Sequence, residues 1–145
     1  MSKNLHKLVY TSQRNANCTD SEIQNILAAC KRNNPGENIT GVLIHTDNKF
    51  IQVIEGDKDT VIRLYEKVRN DPRHSNVSLR FLGEVTERSF PDWHMGYKEI
   101  DSNKLKFNTA VGNEDVAVFR RLMQSNNEFD IDEGMRLLKM FLTLN

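Results

Sequence analysis

The spacing of apolar and polar residues near the start of the chain predicts a strand followed by a helix. Residues 5–11, LHKLVYT, alternate with a period of two, which predicts a strand with Tyr10 on one face. Thr19 then opens a T-x-x-E capping pattern, and apolar residues follow it at helical spacing. Because Pro35 cannot continue a helix, this helix is expected to end near residues 33–34.

Two further apolar runs predict a β-hairpin. They cover residues 39–45 and 50–55, and residues 46–49 between them have the polar composition of a turn. A second amphipathic helix follows and is stopped by Pro72. Its apolar stripe consists of Val61, Leu64, Tyr65 and Val68.

The middle of the chain completes a mixed sheet. Residues 76–85 suit a fourth strand and residues 95–100 a short fifth strand, with the aromatic corner FPDW between them. The order of elements predicts an α+β fold, a ferredoxin-like βαββαββ sheet with two helices on one face.

The composition changes after residue 100. A polar linker precedes two segments with helical apolar stripes, EDVAVFRRLMQ and IDEGMRLLKMFLTL, which predict two C-terminal helices. Such short stripes are not stable alone, so we expect them to pack on the open face of the sheet or on another subunit. The predicted organisation is a domain over residues 1–100 and a two-helix extension over residues 101–145.

Composition and charge narrow the classes of function. The chain has 145 residues, and its 20 Lys and Arg balance its 20 Asp and Glu, so no net charge draws it to nucleic acid or to an anionic membrane. Neither a membrane-spanning run nor a signal peptide is apparent, and the two cysteines form no CxxC pair, so we expect a cytoplasmic protein. The chain lacks common hydrolase and phosphate-loop motifs, and four scattered histidines do not suggest a metal site.

Gln52 is the most informative candidate for a functional residue. In the strand FIQVI it shares a face with Phe50 and Ile54, and a buried amide there needs partners for both its oxygen and its NH2 group. Tyr10 on a neighbouring strand can supply one of them. The pattern leaves open that Gln52 lies at a strand end or on the solvent face.

The ends of the two helices offer a second group of polar candidates. Asn34 and Asp71 each continue an apolar stripe, so both can face a cleft between the helices that suits a flat ligand with polar groups on its rim. An acid, a guanidinium and an imidazole also lie within four residues of each other, at Asp71, Arg73 and His74. Ordinary helix termination and a solvated turn explain the same residues equally simply.

These segments, taken in order, resemble a BLUF domain. LVYTSQ is similar to the first strand of that family with its tyrosine, and RNNPGENITGVL resembles the helix end and second strand with the family asparagine. FIQVIEG is similar to the glutamine strand, NDPRHSNV to the D-x-R-H segment, and FPDWHM to the W-x-M corner. The resemblance covers residues 5–100.

The resemblance implies a flavin, usually FAD, held non-covalently between the two helices. Asn34 would bind the edge of the flavin ring, Arg73 and His74 would line its pyrimidine end, and Asp71 would lie by the ribityl chain. Relatives vary at the neighbouring position, Asn33. The implied binding set also includes Tyr10 and Gln52, Ile26 and Val68 as the two walls of a sandwich, and Lys67.

The resemblance also implies a photochemical switch instead of an enzyme. Tyr10 would give an electron and a proton to the excited flavin, and Gln52 would rearrange between Tyr10 and the ring. Trp93 and Met95 would pass the change to the last strand and the C-terminal helices, and the sequence does not decide which of them lies beside Gln52. The expected partner is another protein or another copy of this chain, since a homo-oligomer suits the unpartnered helices.

Two departures and two alternatives accompany this hypothesis. Lys67 stands where some relatives carry arginine, which leaves FMN open besides FAD, and Cys30 stands where serine is frequent.

One alternative function is a light-insensitive interaction module. The other is an acylphosphatase-like hydrolase, for which Arg14 is the only arginine near the first strand and the loop SQRNANC lacks glycine.

Overall fold

A computed structural model describes residues 5–45, 48–99 and 131–142 of the chain. In chain order the elements are strand β1 (Leu5–Arg14), helix α1 (Asp20–Asn33), strands β2 (Thr40–His45) and β3 (Lys49–Asp57), helix α2 (Lys58–Arg69), strands β4 (His74–Glu84) and β5 (Gly96–Glu99), and helix α3 (Ile131–Leu142). The first predicted C-terminal helix, residues 114–124, lies outside the described residues, whereas α3 matches the second.

The strands form one sheet in the order β4-β1-β3-β2-β5. Strand β1 pairs antiparallel with both β3 and β4, and β5 joins β2 in parallel. The predicted ferredoxin-like α+β fold is confirmed. Strand β1 extends beyond the predicted Thr11 to Arg14, because the added residues pair with the start of β4, where Arg14 lies opposite His74.

The two helices cover the same face of the sheet. Helix α2 packs Val61 and Tyr65 against Leu8 of β1 in one apolar cluster. Helix α1 packs Ile23 and Leu27 against Leu43 and Phe50 in a second cluster. The predicted cap of α1 is also present, because the Thr19 side chain accepts a hydrogen bond from the amide of Glu22 at 3.3 Å.

The other face of the sheet is buried as well. Its apolar residues are fully inaccessible to solvent and comprise Val9, Val42, Ile44, Ile51 and Val53. Met135 and Leu138 of α3 are buried too, and the Lys139 amine lies 5.8 Å from the ring centre of Phe90. The amide of Phe90 binds Glu55 on this face, so α3 lies on the side opposite α1 and α2. None of the helices within the described ranges is long and apolar enough to cross a membrane.

Candidate functional site

A cleft of about 230 Å³ opens between α1, α2 and the sheet. It contains nearly all of the predicted binding residues: Tyr10, Ile26, Asn34, Gln52, Lys67, Val68, Asp71, Arg73 and His74. The rest of its lining is mainly apolar and consists of Ala29, Cys30, Ile39, Leu43, Ile54, Leu64 and Met95. Sequence reasoning missed Ala29 and Leu64 as lining residues, although their helical spacing from Ile26 and Val68 was a usable signal.

Asn33 is the predicted binding residue that the structure separates from the others. Adjacent helical residues point about 100° apart, and of this pair only Asn34 is turned into the cleft. Asn34 is buried and lines the cleft, whereas Asn33 is exposed on the outer side of α1 and is absent from the lining. The cleft lining therefore does not include Asn33, and a role of Asn33 in binding stays a prediction.

Tyr10 and Gln52 form the polar centre of the cleft. They lie directly opposite each other in the register of β1 and β3, and the Tyr10 hydroxyl donates a hydrogen bond to Oε1 of Gln52. Both side chains are buried, so Gln52 is on the covered face of the strand and neither at a strand end nor in solvent. Burial raises the pKa of the Tyr10 phenol far above its ordinary value, which keeps the phenol protonated.

The second hydrogen-bonding group of Gln52 faces Met95. Its Nε2 lies 3.4 Å from Sδ of Met95, which is buried beside it. Trp93 is 43% exposed and stacks on Phe90 with ring centres 5.8 Å apart. The structure thus places Met95, and not Trp93, beside Gln52.

Asn34 connects the cleft to the segment before β5. Its Nδ2 donates to the carbonyl of His94 at 2.5 Å, and its backbone carbonyl accepts the amide of Ile39 at 3.0 Å. Burial raises the pKa of the neighbouring Cys30 thiol, and a hydrogen bond with Asn34 partly opposes that rise. The buried Asn34 side chain therefore links the wall of the cleft to His94, the residue before Met95.

Asp71 and Arg73 form an ordered pair at the mouth of the cleft. Arg73 binds the carboxylate with two nitrogens, Nε at 3.0 Å from Oδ1 and Nη2 at 2.7 Å from Oδ2, and its Nη1 lies 3.3 Å from Glu22. Burial alone would raise the pKa of Asp71, but the hydrogen bonds from Arg73 outweigh it and the pKa falls. This cluster is a built ion pair and not a solvated turn.

His74 lies deeper in the cleft than Arg73. Its Nδ1 is 2.8 Å from Oγ of Ser12, and its ring meets that of Tyr10 edge-on with centres 6.4 Å apart. Burial lowers the pKa of His74, so the neutral imidazole is favoured.

A wider, more polar opening adjoins the mouth of the cleft. It shares Lys67, Asp71 and Arg73 with the cleft and has a volume of about 720 Å³. Its other lining residues, which sequence reasoning had not assigned to a site, are Asn17, Thr19, Glu22 and Pro72. The mouth therefore offers room and two cationic side chains beyond the apolar part of the cleft.

Comparison with known proteins identifies this arrangement. Residues 5–96 match the family BLUF, described as sensors of blue-light using FAD. The chain belongs to the BLUF family. The match spans most of the chain and covers α1, α2 and strands β1 to β4, and it confirms the expectation of a flavin-binding blue-light sensor.

Individual relatives agree with the family. A photoactivated adenylate cyclase subunit beta from Euglena gracilis is 36% identical over 90 residues, which are 61% of this chain and 10% of that protein. The BLUF chain thus spans about a tenth of the length of this curated relative. Two solved structures match nearly end to end: BlsA in its photo-activated state, with a TM-score of 0.78, 29% identity and coverage of 97% and 96%, and BlrB in the dark state, with a TM-score of 0.74, 27% identity and coverage of 97% and 99%.

The residues of the cleft fit a flavin. An isoalloxazine ring is flat and apolar on its faces and carries hydrogen-bond donors and acceptors on its rim. Ile26 and Val68 line the cleft from opposite helices, and the buried amides of Asn34 and Gln52 supply the polar groups that a ring edge requires.

Proposed function

We propose that this BLUF protein senses blue light with FAD in the cleft between α1 and α2, and that it signals by rearranging the Gln52 side chain. The observation that carries the proposal is the position of the Gln52 amide. Its oxygen accepts from the Tyr10 hydroxyl and its nitrogen donates to the Met95 sulfur, so each end of one amide has a different partner.

This arrangement makes the Gln52 amide a switch with two orientations. A bound flavin would supply absorption of blue light and, once excited, a strong oxidising power. Tyr10 is the residue of the cleft that can give up an electron together with a proton, and the raised pKa of its phenol keeps that proton in place beforehand. When the proton leaves the Tyr10 oxygen, the donor that fixes Gln52 is lost.

Gln52 then exchanges the ends that it presents to its neighbours. An amide carries an acceptor at one end and a donor at the other, so a half-turn replaces the donor near Met95 by an acceptor. The thioether of Met95 accepts hydrogen bonds but donates none, so the contact at 3.4 Å is lost. The Gln52 rearrangement therefore reaches the segment before β5 without any product being released.

The remaining cleft residues would hold the flavin. Asn34 would bind the ring edge, Arg73 and His74 would line the pyrimidine end, and Asp71, which is paired with Arg73, would lie by the ribityl chain. We favour FAD over FMN because the adjoining opening of about 720 Å³ has room for a longer ligand and presents Lys67 at its rim. Release of the flavin by heating, followed by mass spectrometry, distinguishes FAD from FMN.

The output passes to another protein or to a second copy of this chain. We take residues 1–100 as the sensing unit and residues 101–145 as the extension that carries the output; the contact of Lys139 with Phe90 offers a link between the two. Two free cysteines, Cys18 and Cys30, support a location in the reducing cytoplasm. Light scattering of the full chain in darkness and under blue light tests whether the assembly changes.

The acylphosphatase-like alternative is weakened by the environment of Arg14. Its guanidinium donates to the carbonyl of Cys18 at 2.6 Å, and its other nitrogens contact His45 at 2.9 Å and Asp20 at 3.1 Å. An arginine engaged in this way does not present an anion-binding site.

Infrared difference spectroscopy tests the proposed mechanism. Illumination of protein reconstituted with FAD should change a glutamine side-chain band that moves with ¹³C-labelled glutamine, and the same band should be missing in Gln52→Leu. A light-induced flavin shift without any labelled glutamine band would contradict the role of Gln52.

A further inference from the structure

A buried carboxylate lies on the face of the sheet opposite the cleft. Glu55 lies three residues after Gln52 on β3, an odd separation that places the two side chains on opposite faces of the strand, and it is fully inaccessible to solvent. A buried carboxylate is costly unless several hydrogen bonds compensate for its lost hydration. Its partners therefore indicate what this residue holds in place.

Both oxygens of Glu55 bind the backbone of one short segment. Oε2 accepts the amide of Ser89 at 2.6 Å, and Oε1 accepts the amide of Phe90 at 3.0 Å. Oε1 also accepts the Thr40 hydroxyl at 3.1 Å, and the Lys7 amine lies 3.6 Å from Oε2. The carboxylate is the common acceptor for two consecutive peptide groups of the segment.

Arg88 extends this attachment to the neighbouring strand. Its Nη1 donates to the Thr40 hydroxyl at 2.7 Å and to the backbone carbonyl of Glu55 at 3.1 Å, and its Nη2 donates to the carbonyl of Asn38 at 2.9 Å. We define residues 88–90 as the clamped segment. It is tied to β2, to β3 and to the turn between α1 and β2.

The clamped segment leads directly to the residue beside Gln52. The chain continues from Phe90 to Trp93, whose carbonyl accepts the amide of Gly41 at 2.9 Å, and then to Met95, whose sulfur faces Gln52 at 3.4 Å. On the other side, the Phe90 ring lies under Lys139 of α3. One short stretch thus touches the Gln52 amide at one end and α3 at the other.

We infer that Glu55 is a positioning residue of the light switch: by holding the amides of Ser89 and Phe90 it sets where Met95 stands against Gln52. The inference rests on the proposed function of Gln52. A carboxylate is required because all of its neighbours in this network donate hydrogen bonds, whereas the NH2 group of a glutamine would face a peptide N–H and repel it. When Glu55 holds the clamped segment, Met95 keeps its position while the Gln52 side chain rearranges.

The test compares Glu55→Gln with Glu84→Gln, an exposed glutamate on β4, in full-length protein reconstituted with FAD. Hydrogen exchange at the amides of Ser89 and Phe90, measured in darkness, should accelerate about tenfold in Glu55→Gln. The rate of dark recovery should change about fivefold while flavin binding is retained. Glu84→Gln should match the wild type in both.

Two results would overturn the inference. One is exchange at Ser89 and Phe90 that is as slow in Glu55→Gln as in the wild type, and the other is faster exchange with unchanged dark recovery. If Glu55→Gln does not fold, Arg88→Gln removes the outer part of the clamp and keeps the carboxylate; it should show the same two changes to a smaller degree, and wild-type values would contradict the inference. Absence of any light-induced shift in the wild type would instead refute the proposed function.

Discussion

The Tyr10 hydroxyl donates a hydrogen bond to Oε1 of Gln52 from the position directly opposite it on the neighbouring strand. The pairing is set by the register of β1 and β3 and not by a flexible loop. The other end of the amide, its nitrogen, lies 3.4 Å from the sulfur of Met95. In the proposed mechanism, loss of the Tyr10 proton removes the donor to Gln52.

Replacement of Tyr10 by phenylalanine should leave flavin binding intact and abolish the reversible light-induced shift. The ring and its apolar contacts remain, while the donor to Gln52 is lost at a cost of about 1 kcal/mol in the free energy of unfolding. Tyr65→Phe is the matched control because its ring lies 5.9 Å from that of Tyr10 in the same cluster. Steady-state absorption under illumination is the measurement, and a normal photocycle in Tyr10→Phe would contradict the assigned role.

Replacement of Met95 by leucine should change the rate of dark recovery about fivefold, because it removes an acceptor from Gln52 and keeps a buried apolar side chain of similar volume. Trp93→Phe should change the rate much less, since Trp93 is exposed and stacks on Phe90 instead of facing Gln52. Recovery of absorbance after a light pulse measures both. The reverse order of effects would place Trp93 at the switch.

Stability should fall as the pH is lowered from 7.5 to about 5.5 because of His74. Burial lowers the pKa of His74; the charge of Asp71 opposes this and that of Arg73 adds to it. Below about pH 6.5 the imidazole of the unfolded chain therefore binds a proton more readily than that of the native state. The free energy of unfolding then falls with decreasing pH, with a slope of at most about 1.4 kcal/mol per pH unit.

Denaturant unfolding across this pH range measures the contribution of His74. The slope should decrease in His74→Gln and persist in His6→Gln, a control at a half-buried position of β1 outside the cleft. An equal slope in the wild type and His74→Gln would show that another group is responsible.

Replacement of Ile26 by tryptophan should fill the cleft and remove the stabilisation by flavin. At a free flavin concentration of 100 times Kd, binding stabilises the native state by about 2.7 kcal/mol. That gain should be visible as a higher Tm for the wild type and for Gln24→Trp, which changes an exposed position of the same helix. Undiminished stabilisation of Ile26→Trp would mean that the flavin binds elsewhere.

Local signals in the sequence were sufficient for most of the fold. The capping pattern at Thr19 and the apolar run over residues 50–55 depend on neighbouring residues alone, and both gave the correct element. The length of β1 was underestimated because its last residues are strand only through pairing with His74 and other residues far along the chain. Period-two alternation carries no information about such partners.

The cleft was predicted less completely than the sheet. The family resemblance supplied the list of binding residues, and the structure was needed to show that Asn34 lines the cleft and Asn33 does not. The choice between Trp93 and Met95 depends on how the segment before β5 folds back onto β3, which no local pattern encodes. Glu55 was not singled out, because its hydrogen-bond partners are amides more than thirty residues away, at Ser89 and Phe90.

The most direct test of the account is the absorption spectrum of the purified, FAD-reconstituted protein before, during and after blue illumination. We expect a yellow protein whose flavin bands shift to longer wavelength in the light and return in darkness, and we expect no such shift in Gln52→Leu. A preparation that binds no flavin, or one whose flavin spectrum is unchanged by light, would contradict it.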